Sequence, residues 1–141
     1  RYGPGMAPVF PDRATFETLF TRLFAGIEAD DPDGLDPLVQ RRMVIRFAVD
    51  DPDVEMWVDG RRAPVRAGFE PMDVKPTLTA SLSGDTLHEL LLGTLPLGRA
   101  LRSRRLKVKG SKLKAMRLEA LLHACQAGYP ALAEELLAAS D

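Results

Sequence analysis

The chain has 141 residues, of which 45% are hydrophobic and 28% charged, and its formal net charge is −1. That length suits one domain with a sizeable core, and the near-neutral balance excludes a global pull toward nucleic acid. The single cysteine, Cys125, excludes an internal disulfide and a cysteine-based zinc cluster and suits a reducing cytosol. No apolar run approaches the ~20 residues needed to span a bilayer, and no signal peptide is visible, so a cytoplasmic location is expected.

Residues 1–11 hold Gly3, Pro4, Gly5, Pro8 and Pro11 and read as a flexible or extended lead-in to a domain over 12–141. Asp12 is placed to cap a helix. Phe16, Leu19, Phe20, Leu23, Phe24 and Ile27 then recur at helical spacing and predict an amphipathic helix, stopped by the turn at Asp30–Gly34. Asp36-Pro37 looks like a cap with proline at the first helical position. Met43, Ile45, Phe47 and Val49 alternate with Val44, Arg46, Ala48 and Asp50 as a first strand, and Val54, Met56 and Val58 alternate with Glu55, Trp57 and Asp59 as a second. Asp59-Gly60 is a turn signal, and Ala63–Ala67 is short enough for an edge strand. The tight spacings argue for antiparallel pairing.

A fourth strand is expected over Val74–Leu82, with Leu78, Ala80 and Leu82 on one face. Asp85 offers an N-cap for a very apolar helix with Leu87, Leu90, Leu91 and Leu92, closed by Gly93. Leu95, Leu97 and Leu101 form a second apolar segment. Leu106 and Val108 alternate against Arg105, Lys107 and Lys109 in a fifth strand ending at Gly110. Ser111 caps a long helix whose apolar positions (Leu113, Met116, Leu118, Ala120, Leu121, Leu122, Ala124 and Cys125) exceed one stripe, which predicts packing on two sides. Gly128 ends it, and a last helix carries Tyr129, Leu132, Leu136 and Ala139.

Little of this carries reaction chemistry. His88-Glu89 is not part of HExxH, because position 92 is leucine, and neither histidine sits in a ligand cluster; both read as surface or helix-end residues. Cys125 falls among leucines, where a buried, inert thiol is expected. The two DDPD segments read as turns, since a calcium loop needs denser oxygen ligands. No Gly-rich phosphate loop is present. Catalytic residues, metal and cofactor are therefore expected to be none. The segment between Glu89 and Glu119 holds nine Lys and Arg and no acid. It reads either as a solvated strand face or as a dock for anionic lipid headgroups. It lacks interleaved aromatics, which argues against single-stranded nucleic acid.

Strand, two short apolar helices, strand and glycine, in that order, resemble the sterol carrier protein type-two domain, the nonspecific lipid-transfer family. The likeness rests on Leu78-Thr79, the helix before Gly93, Leu95-Pro96 with Ala100, and Leu106-Lys107-Val108-Lys109-Gly110. It continues upstream through Val44-Ile45-Arg46-Phe47 and Trp57-Val58-Asp59, so it spans roughly Phe16 to Leu122. The family often has Gly-Lys where this chain has Arg104-Arg105, and Gly-Asp where it has Gly110-Ser111; these departures touch the rim of a cavity. The resemblance implies an α/β fold of α+β type: a five-stranded, mostly antiparallel sheet with helices on one face enclosing an apolar tunnel.

By the same resemblance, the tunnel walls fall to Ile45, Phe47 and Val49; Met56 and Val58; Leu78 and Leu82; Leu87, Leu90 and Leu91; Leu95, Leu97 and Leu101; Leu106 and Val108; and Met116, Leu132 and Leu136. Arg102, Arg104 and Arg105 are the expected headgroup or membrane contacts. The implied function is noncatalytic binding, transfer or presentation of a sterol, fatty acid or acyl-CoA by a monomer or homodimer, with peripheral contact to an anionic membrane and no nucleic-acid partner. Two alternatives stay open: a protein-interaction or dimerisation module on the same fold, and an enzyme using Asp50 or Glu55 as a base on a hydrophobic substrate.

Overall fold

The computed structural model describes residues 7–138, apart from the side chains of Lys112, Leu113 and Ala138. Gly3, Pro4 and Gly5 of the lead-in, and Ala139 of the last expected helix, lie outside the described residues. The first amphipathic stripe forms α1 (Arg13–Asp30), capped as expected by Asp12, whose carboxylate accepts from Thr15 N at 2.7 Å. Its six apolar positions are all buried. The short α2 (Asp36–Gln40) has proline in its first turn, which needs no amide there.

The sheet comprises β1 (Val44–Asp50), β2 (Val54–Asp59), β3 (Arg66–Gly68), β4 (Leu78–Ser83) and β5 (Leu106–Lys109), in the order β3-β2-β1-β4-β5. Three pairings are antiparallel, but β1 and β4 run parallel. The return from β3 through residues 69–77 carries the chain back across the sheet, so β4 joins β1 in the same direction. Register aligns the alternating apolar residues into rows: Val58-Ile45-Leu78, Met56-Phe47-Ala80-Val108, and Val54-Val49-Leu82-Leu106. All of these except Val108 are buried, and together they form the helix-covered face.

Several expected boundaries move. The fourth strand starts at Leu78 rather than Val74, and the third is Arg66–Gly68 rather than Ala63–Ala67. Trp57 lies on the parity read as wet, yet it is only 5% exposed. Its register partners are Arg46 and Gly68, and its Nε1–H donates to Glu55 Oε1 at 3.0 Å. An amphipathic ring of this size can bury its body while its one donor is satisfied.

The next element, α3 (Gly84–Leu92), is capped by Ser83 and not by Asp85. Ser83 Oγ accepts from Thr86 N at 3.1 Å, while Asp85 accepts from Val9 N at 2.9 Å. Gly84 is required by space: a Cβ there would lie 2.5 Å from the Asp51 carbonyl oxygen. Gly93 closes the helix at φ 80°, the left-handed region.

After α4 (Leu97–Arg102) and β5, the expected long helix is split into α5 (Lys112–Ala115) and α6 (Arg117–Gln126) at Met116. Ser111 does cap it, accepting from Lys114 N at 3.1 Å. Across the break Glu119 N donates to Met116 O, three residues back, at 3.2 Å, so the ladder tightens and changes course there. From the break onward α6 buries Leu118, Leu121, Leu122, Ala124 and Cys125 and packs on α1, α2 and α3. It stops at Gln126, two residues before Gly128, and α7 (Tyr129–Ala138) packs against α1 and α3.

Of the stretch read as a lead-in, residues 7–11 form no helix or strand. Phe10 is nevertheless 1% exposed and meets Phe16 edge-on at 5.1 Å.

Candidate site beside the last helices

The inner face of the sheet is closed over most of its area. Ile45, Phe47, Met56, Val58, Leu78, Leu87, Leu91 and Leu106 are each at most 3% exposed. They belong to the hydrophobic core and border neither of the clefts beside α6. Apolar surface remains open beside α4 and α6. Val108 points to the same side as its register partner Ala80, yet it is only half-buried, as are Leu97, Ala115 and Ala120. Beyond them Leu101 is 36% and Met116 63% exposed. These residues come from α4, β5 and the α5–α6 segment.

Two clefts flank α6 here. One, of about 570 Å³, lies between the α3–α4 connection and α6 and is walled by Leu90, Leu95, Pro96, Leu97, Ala120 and Leu122, with Glu119, His123 and Gln126 as its polar groups. Gln126 Nε2 donates to the Leu90 carbonyl at 3.0 Å, which also accepts from Gly93 N at 3.2 Å, so the Gln126 amide ties α6 to the end of α3. The other, of about 730 Å³, lies at the α5–α6 break, walled by Met43, Thr77 and Met116 with Arg41, Lys114 and Arg117 at its edge. Met116, Ala120 and His123 fall at i, i+4 and i+7, so one stripe of the α5–α6 segment borders both openings. Both volumes fall in the range of small-molecule sites.

The expected site residues therefore separate into groups. Leu90, Leu95, Leu97 and Met116 border these clefts. Leu101 and Val108 stand beside them on the open rim. Val49 and Leu82 border a different depression at the ends of the parallel strands, with Ala48, Ser81, Asp85, Thr86, Arg104 and Arg105. Leu132 and Leu136 are half-buried on α7. Sequence reasoning missed Ala120, His123 and Gln126; the stripe spacing from Met116 was the available signal.

Of the three arginines, Arg102 and Arg104 are exposed and make no ion pair among the described residues. Arg105 is engaged: its guanidinium pairs with Glu89, and its Nε donates to the buried Thr86 Oγ1 at 3.3 Å. It links the start of β5 to α3.

Acid–base candidates fare differently. Arg46, with help from the Trp57 indole, holds the Glu55 carboxyl below its ordinary range despite partial burial. That is the opposite of what a general base needs. Among the described residues no three His, Cys, Asp or Glu side chains gather as a metal set. His123 is exposed as expected, whereas His88 is half-buried. Its Nδ1 lies 2.7 Å from the buried Tyr129 hydroxyl, and its ring meets Phe10 edge-on. Burial lowers the His88 imidazole, against the pull of Asp85 and Glu89. The Cys125 thiol is pushed up to about 12 by burial. It should resist a thiol reagent such as dithionitrobenzoate in native buffer and react at once in denaturant; rapid native labelling would contradict the packing of α6.

A mixed five-stranded sheet covered on one face by helices, opening beside α4 and α6, is an α+β domain of the sterol-carrier type. The family model for the SCP-2 sterol transfer family matches residues 20–123, and the chain belongs to that family. Among solved structures it is similar to sterol carrier protein 2 from Yarrowia lipolytica in its apo form, with 17% identity over 81% of this chain and 94% of that one at a TM-score of 0.64. It is likewise similar to the sterol carrier protein domain 2 of Helicoverpa armigera, with 18% identity over 89% and 94% at a TM-score of 0.63. A third likeness is to palmitated SCP2L2 from Aedes aegypti, with 24% identity over 76% and 93% at a TM-score of 0.51. No curated protein sequence matches the chain. Membership supports lipid binding or transfer in general, and no helix among the described residues is long and apolar enough to cross a membrane.

Proposed function

We propose that the protein is a noncatalytic carrier of a single-chain hydrophobic ligand such as a fatty acid or acyl-CoA, seated between α4, β5 and the α5–α6 segment. The observation that carries this reading is the half-buried Val108. Val108 is the one half-buried residue in the register rows of the core-facing side, and the half-buried Leu97 and Ala120 continue the apolar surface outward. An acyl chain entering beside Leu97 would pass under α6, displacing the flexible Met116 side chain, whose unbranched thioether adapts to irregular neighbours. Transfer of apolar surface from water would drive binding at roughly 25 cal/mol per Å². Glu119, His123 and Gln126 at one mouth, and Arg102 beside α4, would orient a polar end. The palmitated Aedes aegypti relative supports an acyl ligand over a rigid sterol.

A fluorescent long-chain fatty acid titrated into delipidated protein should bind saturably at one site and be displaced by unlabelled palmitate. No saturable uptake, together with concentration-dependent mass in solution, would point to an interaction module instead.

A further inference from the structure

We propose that the depression at the carboxyl ends of β1 and β4 is a second binding site, which takes the phosphate monoester group of a small hydroxyl-bearing molecule. It encloses about 730 Å³, within the range of small-molecule sites. Its place follows from the topology. β1 and β4 are the parallel pair, and their last residues, Asp50 and Ser83, are register partners. From there the chain leaves β1 toward β2 on one side, and leaves β4 toward α3 and then β5 on the other. Adjacent parallel strands whose connections part in this way leave a crevice beyond their carboxyl ends. Its floor is low because Ala48 and Ser81, register partners on the face away from the core, are small. Lys107 follows Ser81 in the same row, so it points away from Val108 and from the acyl cleft.

The groups around this floor are mostly donors. Arg104 and Lys107 are exposed, and neither makes an ion pair among the described residues. Arg105 is held by Glu89 and Thr86. Thr86 is only 3% exposed, and its hydroxyl meets that of Ser83 at 3.0 Å. Ser83 Oγ also accepts from Thr86 N, and Thr86 Oγ1 also accepts from Arg105 Nε. The two hydroxyls carry two protons and share one bond, so one proton of this pair has no acceptor among the described residues. Leaving a buried donor unmatched is costly. A phosphate oxygen supplies that acceptor, while Arg104 and Lys107 meet its charge through charge-assisted hydrogen bonds. Of the two carboxylates at the border, Asp85 accepts from Val9 N at 2.9 Å. Asp50, across from Ser83, is placed to accept from a hydroxyl on the organic part of the ester.

The test is a heteronuclear NMR titration of the full chain with glycerol phosphate. Saturable shifts should map to the amides of Ser81, Ser83, Thr86 and Lys107. Arg104 has φ 64°, the left-handed region that favours glycine. Arg104→Gly should therefore weaken binding about tenfold, the worth of one charge-assisted hydrogen bond, while its urea midpoint holds or rises. Lys107→Ala, at an exposed strand position, should lose about as much affinity. Arg62→Ala, in the connection between β2 and β3, removes the same charge elsewhere and should bind as wild type does. Dihexanoyl phosphatidic acid identifies the source of the ester: equal affinity means that a soluble ester suffices, and tighter binding at the same amides means a lipid headgroup. Prior saturation with palmitate should leave the glycerol phosphate titration unaltered. The absence of saturable shifts at these amides, shifts gathered instead around Arg41, Lys114 and Arg117, unchanged affinity in both site variants, or competition by palmitate would each overturn the inference.

Discussion

Ala120→Trp should cut fatty-acid affinity nearly a hundredfold while leaving the fold intact. Ala120 is half-buried and borders the cleft between α4 and α6, so an indole there points into open space rather than into packed core. If it displaces an acyl chain from about 100 Å² of apolar wall, the loss is about 2.5 kcal/mol, which is nearly two decades in Kd. The comparison is a fluorescence titration of both proteins, with urea unfolding as the check on stability. Unchanged affinity would place the ligand elsewhere. A large loss of stability would mean that α6 closes on this face in solution.

Tyr129→Ala should cost about 3–5 kcal/mol of folding stability, the usual range for truncating a large buried aromatic. Tyr129 is 0% exposed. It packs against the Phe20 ring at 6.1 Å and the His88 ring at 5.6 Å, and its hydroxyl meets His88 Nδ1 at 2.7 Å. It joins α7 to α1 and α3 at a single point. Burial raises the phenol well above its ordinary 10.0, so the hydroxyl keeps its proton and shares one hydrogen bond with the imidazole. Tyr129→Phe should cost only about 1 kcal/mol, the worth of the hydrogen bond. Urea midpoints measure both, and a cost below about 1 kcal/mol for the alanine variant would show α7 to be loosely held.

A pH dependence follows from the same pair. His88 is harder to protonate in the fold than in the unfolded chain. The neutral form therefore contributes stability that is fully present above the ordinary 6.5 and is lost as pH falls from there through the lowered folded value. Urea midpoints should drop on acidification below about pH 6.5 more steeply in wild type than in His88→Gln. Parallel profiles would remove His88 from the account.

What the sequence disclosed was periodicity. The α1 stripe from Phe16 to Ile27 and the strand parities at Ile45, Met56 and Leu78 all reached the core as read, because alternation and 3.6-residue spacing are local properties. Features set by distant partners were not legible. Asp85 has the right chemistry to cap α3, but the amide of Val9, 76 residues away, takes its carboxylate, and Ser83 caps instead. Trp57 is buried by strands that meet it only after folding, and His88 is half-buried against Tyr129 of α7 and Phe10. The break at Met116 has no proline or glycine to announce it.

The candidate site followed the same division. Leu90, Leu95 and Leu97 were identifiable as apolar, but only the fold shows that they border a cleft and that Leu97 is half-buried there. Arg105 looks like its exposed neighbours in sequence, whereas Glu89 and Thr86 hold it in place.

The central claim, that this fold carries a hydrophobic chain, is tested most directly by native mass spectrometry of the protein, delipidated and then mixed with long-chain fatty acids, acyl-CoA and sterols. One ligand per chain is expected, with acyl chains retained over sterols and the adduct lost in Ala120→Trp. A protein that stays at its unliganded mass with every member of the set would contradict it.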